Sequence, residues 1–132
     1  MTYYLDTNTC IYHLNGTSAR ISDKLEHFHT SEIKIPSVVA AELLYGAEKS
    51  ARREENLRYF RQFLSIYETI PFGDKAANCY AVIRAKLERK GTPIGGNDLL
   101  IAAIVLADEG VIVTNNYGEF SNVEGLMVED WS

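Results

Sequence analysis

A chain of 132 residues has room for one domain, and 46% hydrophobic residues with eight Tyr and five Phe fill a proper core, which excludes disorder and fibrous repeats. Thirteen basic against 18 acidic residues leave a net charge of −5, which on its face argues against a protein that coats nucleic acid through its phosphates. Tyr3-Tyr4-Leu5 reads as a short strand that stops at Asp6-Thr7-Asn8-Thr9, a run of good N-cap residues ahead of Cys10-Ile11-Tyr12-His13-Leu14. A second helix is expected near Ser18 to Phe28. Ile33-Lys34-Ile35 alternates as a strand, and Pro36-Ser37 opens a helix from Val38 to Ser50. From Arg52 to Tyr67, Leu57, Phe60, Phe63 and Leu64 recur at helical spacing with arginines opposite, the pattern of an amphipathic helix.

Tyr67 to Ile70 forms a short strand closed by Pro71, and a helix from Asp74 to Arg89 precedes the breaker Gly91-Thr92-Pro93-Ile94-Gly95-Gly96. An apolar helix, Leu99 to Ala107, starts at Asn97 or Asp98 and ends at Gly110. Val111-Ile112-Val113 is a continuous β-branched run of the buried parallel type, and Met127-Val128 adds an edge strand. Strands alternating with helices predict the α/β class, a three-layer α/β/α sandwich around a mostly parallel central sheet of about four to five strands. No repeat, low-complexity tract or linker divides the chain, so residues 1–132 read as a single domain. No apolar run approaches the ~20 residues of a membrane span, and the N-terminus lacks a signal peptide's basic region, so a cytoplasmic, membrane-free protein is expected. Cys10 and Cys79, far apart and without a CxxC or neighbouring His, read as reduced, mostly buried thiols.

In open α/β sheets, ligands bind beyond the carboxyl ends of the strands, so acids placed there are the informative ones. Asp6 ends the first strand, Thr114, Asn116 and Glu119 follow the Val111–Val113 strand, and Asp98 stands at the start of an apolar helix. Taken singly, Asp6 and Asp98 read equally well as N-caps, and Glu119 as a solvated loop acid. Glu42, inside Val38-Val39-Ala40-Ala41-Glu42-Leu43-Leu44, is expected on a buried face, where an unpaired carboxylate costs several kcal/mol unless a cation or proton compensates. Taken together, clustered carboxylates without His or Cys favour Mg²⁺ or Mn²⁺ over Zn²⁺, and with it metal-assisted phosphoryl transfer through an activated water.

Four stretches carry a resemblance. Tyr4-Leu5-Asp6-Thr7-Asn8, Ala41-Glu42-Leu43-Leu44-Tyr45-Gly46-Ala47, the run from Gly91 through Asn97-Asp98-Leu99 to Ala103, and Val113-Thr114-Asn115-Asn116-Tyr117-Gly118-Glu119-Phe120 are similar, in order and spacing, to those of PIN-domain ribonucleases. Within that fold they resemble the VapC toxins of bacterial type II toxin–antitoxin pairs, and Glu129-Asp130-Trp131 suits the branch that cuts initiator tRNA. The resemblance implies an endoribonuclease in which Asp6 and Asp98 ligate Mg²⁺, with Mn²⁺ as a substitute, and Glu42 and Glu119 complete a catalytic acidic pocket. It further implies that Asn8, Thr114 and Asn116 orient these acids by hydrogen bonds. Where many PIN relatives carry an acid two residues past the Thr, this chain has Asn116, so Glu119 must supply the fourth carboxylate.

The resemblance also implies a VapB-type antitoxin that inhibits by laying a segment into the cleft, a homodimer, and contact with promoter DNA only through the antitoxin complex. Arg84, Lys86, Arg89 and Lys90 lead into the Asp98 loop and are the candidate tRNA-backbone contacts, beside a second basic group of Lys49, Arg52, Arg53, Arg58 and Arg61. Tyr45 and Tyr117 read either as stacking platforms for unpaired bases or as packing. Leu57, Phe60 and Leu64 are expected to leave apolar surface for a partner. The competing readings are a housekeeping PIN nuclease without antitoxin, a haloacid-dehalogenase-type phosphatase, whose second motif Asp is here Asn8, and a receiver-like binding module. Without the four site acids the chain has 14 acidic against 13 basic residues, so its acidity concentrates in the pocket and does not argue against an RNA substrate.

Overall fold

The computed structural model describes residues 1–132. Five strands, β1 (Tyr3–Leu5), β2 (Ile33–Pro36), β3 (Glu68–Ile70), β4 (Val111–Val113) and β5 (Met127–Glu129), form one sheet in the order β3-β2-β1-β4-β5. All four pairings are parallel, and β1 sits at the centre with Tyr3, Tyr4 and Leu5 opposite Val111, Ile112 and Val113. The three central strands are largely buried because, Lys34 apart, their residues are apolar on both faces, whereas β3 and β5 lie at the edges and are partly exposed. Helices α1 (Thr7–Leu14), α2 (Ala19–His27), α3 (Ser37–Glu48), α4 (Arg53–Ile66), α5 (Asp74–Lys90), α6 (Gly96–Ala107) and α7 (Tyr117–Phe120) supply the crossovers and flank the sheet.

The expected elements are all present, with two additions: the 3-10 turn Thr30–Glu32 and the short helix α7. Helix α6 is buried almost all round, at Leu99, Ile101 to Val105 and Ala107, which fits a segment with no charge between Asp98 and Asp108. Each such Leu, Ile or Val contributes about 1.5–3 kcal/mol by leaving water. Helix α5 ends at Gly91, whose φ of 72° is the left-handed cap that glycine adopts without strain. Both thiols are free, Cys10 buried and Cys79 half-buried.

The amphipathic face of α4 corrects one expectation. Leu57 is buried within the chain, and Phe60 and Leu64 pack against the core, so these residues are not surface offered to a partner. Tyr59 and Ile66 are the exposed apolar residues of that helix. No helix is long and apolar enough to cross a membrane.

At the chain's end, Trp131 stacks on Phe28 at 5.4 Å with Tyr3 beside both, and the Lys24 ammonium lies 5.8 Å from the indole. This cluster ties the segment after β5 onto the face of β1 and α2. The chain runs outward from β1 to β3 and then returns to β1's other side as β4, so the strand order switches between β1 and β4. The crevice above a switch point is the ligand position in open sheets.

Candidate active site

Asp6 follows β1 at that crevice and is the N-cap of α1 that the sequence allowed. Its carboxylate caps α1 by accepting from the Thr9 N–H at 2.8 Å, and its other oxygen accepts from the Thr114 hydroxyl at the end of β4. It is 5% exposed and Thr114 is fully buried. Burial pushes the Asp6 carboxyl up from its ordinary range, the Thr114 and Thr9 hydrogen bonds pull it back, and the Glu42 charge adds to the rise.

Asp98 lies in the first turn of α6 but is not its cap, which is Gly95. Its Oδ2 accepts from the Asn116 amide at 3.3 Å, and the same NH₂ donates to Glu119 Oε2 at 2.8 Å. The Asn116 backbone N–H in turn donates to Thr114 Oγ1 at 2.9 Å, closing a chain from Asp6 to Glu119. Burial first, then a hydrogen bond with Glu119 and its charge, then the charges of Asp6 and Glu42, push the Asp98 carboxyl up to about 7. The other three acids therefore all bear on Asp98, and Glu42 also on Asp6: the fold brings the four nominated carboxylates to one cleft.

Glu42 differs from its expectation. It is half-exposed and is not stranded on an apolar face. The apolar neighbours Val39, Leu43 and Ala47 take the inward side of α3, leaving Glu42 on the cleft side. There its Oε1 accepts from the Thr7 hydroxyl at 2.6 Å and its Oε2 from the Asn97 amide at 3.2 Å. Asn8 is a second correction. It is exposed and donates to none of the four acids, because it follows Thr7 on α1 and points about 100° further round the helix. Thr7 and Asn97 take the orienting part expected of it, and their signal was position: each adjoins an acid, Asp6 or Asp98.

No Lys or Arg pairs with any of the four acids. Every hydrogen-bond donor to them is neutral, so the negative charge stays uncompensated within the chain. An all-oxygen donor set under mutual repulsion fits a hard divalent cation. No three acid, His or Cys groups stand close enough to share one ion as the side chains lie, a geometry compatible with the one or two carboxylates plus waters that hold Mg²⁺.

The predicted basic contacts separate into two pairs. Arg84 is engaged by Glu88 at 3.4 Å and the Tyr80 hydroxyl at 2.8 Å, and Lys86 by Glu124 at 3.4 Å, whereas Arg89 and Lys90 are exposed and unpaired. On the other basic helix Arg52 and Arg53 pair with Glu55 and Glu48, leaving Arg58 and Arg61 free. Tyr45 and Tyr117 are 64% and 58% exposed, which removes the packing reading, and the Lys49 ammonium lies 4.9 Å from the Tyr45 ring.

Residues 3–126 match the PIN domain family. The chain is 42% identical over 132 residues to ribonuclease VapC2 of Rickettsia felis, covering 99% of this chain and 98% of that one. It is 40% identical over 129 residues to the tRNA(fMet)-specific endonuclease VapC of Salmonella typhimurium, covering 98% and 97%. Among solved structures, DNA-bound VapBC from Salmonella typhimurium superposes with a TM-score of 0.94 at 39% identity, covering 100% of this chain and 99% of that one. VapBC2 from Rickettsia felis, bound to a fragment of its promoter, superposes at 0.93 with 40% identity over the whole of both chains.

Proposed function

Because this chain belongs to the PIN-domain family, and within it to the VapC ribonucleases, we infer that it is the toxin of a type II toxin–antitoxin pair, an endoribonuclease held in check by a VapB-type antitoxin. The observation that carries the reading is the set of four acids at the β1/β4 switch point, three of whose charges bear on Asp98, each held by neutral donors only. The phosphatase and receiver readings are not favoured, since the full length of the chain aligns with VapC relatives.

Asp6 and Asp98 would hold the divalent cation, with Mg²⁺ the expected ion and Mn²⁺ a substitute. When bound, the cation would supply Lewis acidity at the scissile phosphate and lower the pKa of a water. The remaining work falls to the chain. Thr114 orients Asp6, Asn116 holds Asp98 and Glu119 on one amide, and Glu42 faces the same cleft from α3. Arg89 and Lys90, unpaired next to the Gly91 loop, are the free basic groups that lead into the Asp98 loop to meet a tRNA backbone. Tyr45 and Tyr117 expose rings on which splayed bases can stack. A tRNA substrate follows from the relatives, with initiator tRNA the specific candidate.

The same charge explains inhibition. An antitoxin Arg entering the cleft would meet paired carboxylates with its planar fork and take the position of the cation. Promoter DNA would be reached through the antitoxin, as in the VapBC complexes bound to DNA. A homodimer is part of this proposal.

The test is purified, antitoxin-free protein incubated with total tRNA, with and without EDTA, beside Asp98→Asn. Cleavage by the wild type alone, restored by Mg²⁺ after chelation, is the expected result. Equal cleavage by wild type and variant, or indifference to EDTA, would overturn it.

A further inference from the structure

Glu42 reaches the cleft from the second turn of α3, a helix otherwise anchored through the apolar side chains of Val39, Leu43 and Ala47. A glutamate there, half-exposed on a flexible side chain, would by default sample solvent. Instead each of its carboxylate oxygens is engaged once: Oε1 by the Thr7 hydroxyl at 2.6 Å and Oε2 by the Asn97 amide at 3.2 Å. Thr7 opens α1 directly after Asp6, and Asn97 directly precedes Asp98 in the first turn of α6. The two donors therefore come from the residues next to the two acids proposed to hold the cation.

We propose that Thr7 and Asn97 are positioning residues that clamp Glu42, fixing which of its lone pairs face the cleft and registering α3 against α1 and α6. Both donors are neutral, so the clamp orients the carboxylate without discharging it, and each oxygen keeps acceptor capacity for a water or substrate group. A Lys or Arg in either place would orient Glu42 equally well and remove the charge the site is built to present. The inference rests on the ribonuclease reading of the cleft.

The experiment compares wild type, Thr7→Val, Thr7→Ser and Asn97→Leu in single-turnover and steady-state tRNA cleavage, with calorimetric titration of Mg²⁺ into antitoxin-free protein as a reading that needs no substrate. Thr7→Val keeps the shape of the side chain and loses the donor; it is expected to lower kcat about tenfold with KM within about twofold, and to weaken Mg²⁺ binding. Thr7→Ser is expected to stay near wild type in both, and Asn97→Leu to behave like Thr7→Val. In a Glu42→Ala background, Thr7→Val is expected to cost nothing further, since the group it positions is gone. An unchanged kcat in Thr7→Val, or the same tenfold loss on top of Glu42→Ala, overturns the clamp. A wild type that cleaves no tRNA sinks the ribonuclease reading instead, and the Mg²⁺ titrations then judge the clamp alone.

Discussion

Helix α6 has an aspartate at each end, and the two are treated in opposite ways. Asp108 caps the C-terminus, where the helix dipole is unfavourable to a carboxylate, and the fold compensates it: the buried Tyr4 hydroxyl donates to Oδ2, and the Lys34 ammonium lies 3.4 Å from the same oxygen. Burial and Asp108 push the Tyr4 phenol above its ordinary range, so it remains a donor. Asp98, near the N-terminus, has a favourable dipole but no cation, and burial first, then the three further acids, raise its carboxyl to about 7. An acid that serves the fold is neutralised from within the chain. The acid of the cleft is left in deficit, and the deficit is what an incoming cation or an antitoxin guanidinium can relieve.

Substitutions at the two ends should therefore move stability in opposite directions. The largest effect is expected from Gly110→Ala, because a Cβ there would meet the Tyr4 ring at 2.8 Å and the Thr2 carbonyl at 3.2 Å. The crowding would displace the phenol from Asp108 and cost about 2 kcal/mol in urea unfolding. Tyr4→Phe removes only the hydroxyl and should cost about 1.5 kcal/mol, with cleavage per folded molecule retained. Asp98→Asn is the opposite case: without divalent cation it should raise stability by about 1 kcal/mol, a gain limited by the half-exposed setting, while cleavage is lost. A lower metal-free melting temperature for Asp98→Asn would break the comparison. Lys34→Met should cost the least, about 0.5 kcal/mol in the same unfolding series, since its partners Asp108 and Glu68 are well solvated.

The sheet was legible because Tyr3–Leu5 and Val111–Val113 are short apolar runs, Ile33-Lys34-Ile35 alternates, and the breaker at Gly91–Gly96 separates α5 from α6. Helix α7 was not: four residues that include Gly118 carry no periodicity. The site acids were legible as types and positions, but Glu42 was misplaced because an apolar stretch on a helix does not say which side a lone acid takes. Leu57, Phe60 and Leu64 misled in the converse way, since an amphipathic stripe does not say whether its cover comes from the same chain. Thr7 and Asn8 both follow Asp6 closely as polar residues at the start of α1, and only helical phase separates the one that reaches Glu42 from the one that does not. The Tyr4–Asp108 pair, 104 residues apart, leaves no local trace at all.

The stacked Trp131 also bears on the cleft from a distance. Strand β5, which that indole holds in place, gives its Glu129 carbonyl to the Thr114 N–H at 2.9 Å, and the Thr114 hydroxyl is what steadies Asp6. The indole is thus linked to Asp6 through strand β5 and two hydrogen bonds, so a substitution that unstacks it reaches the cleft without touching an acid.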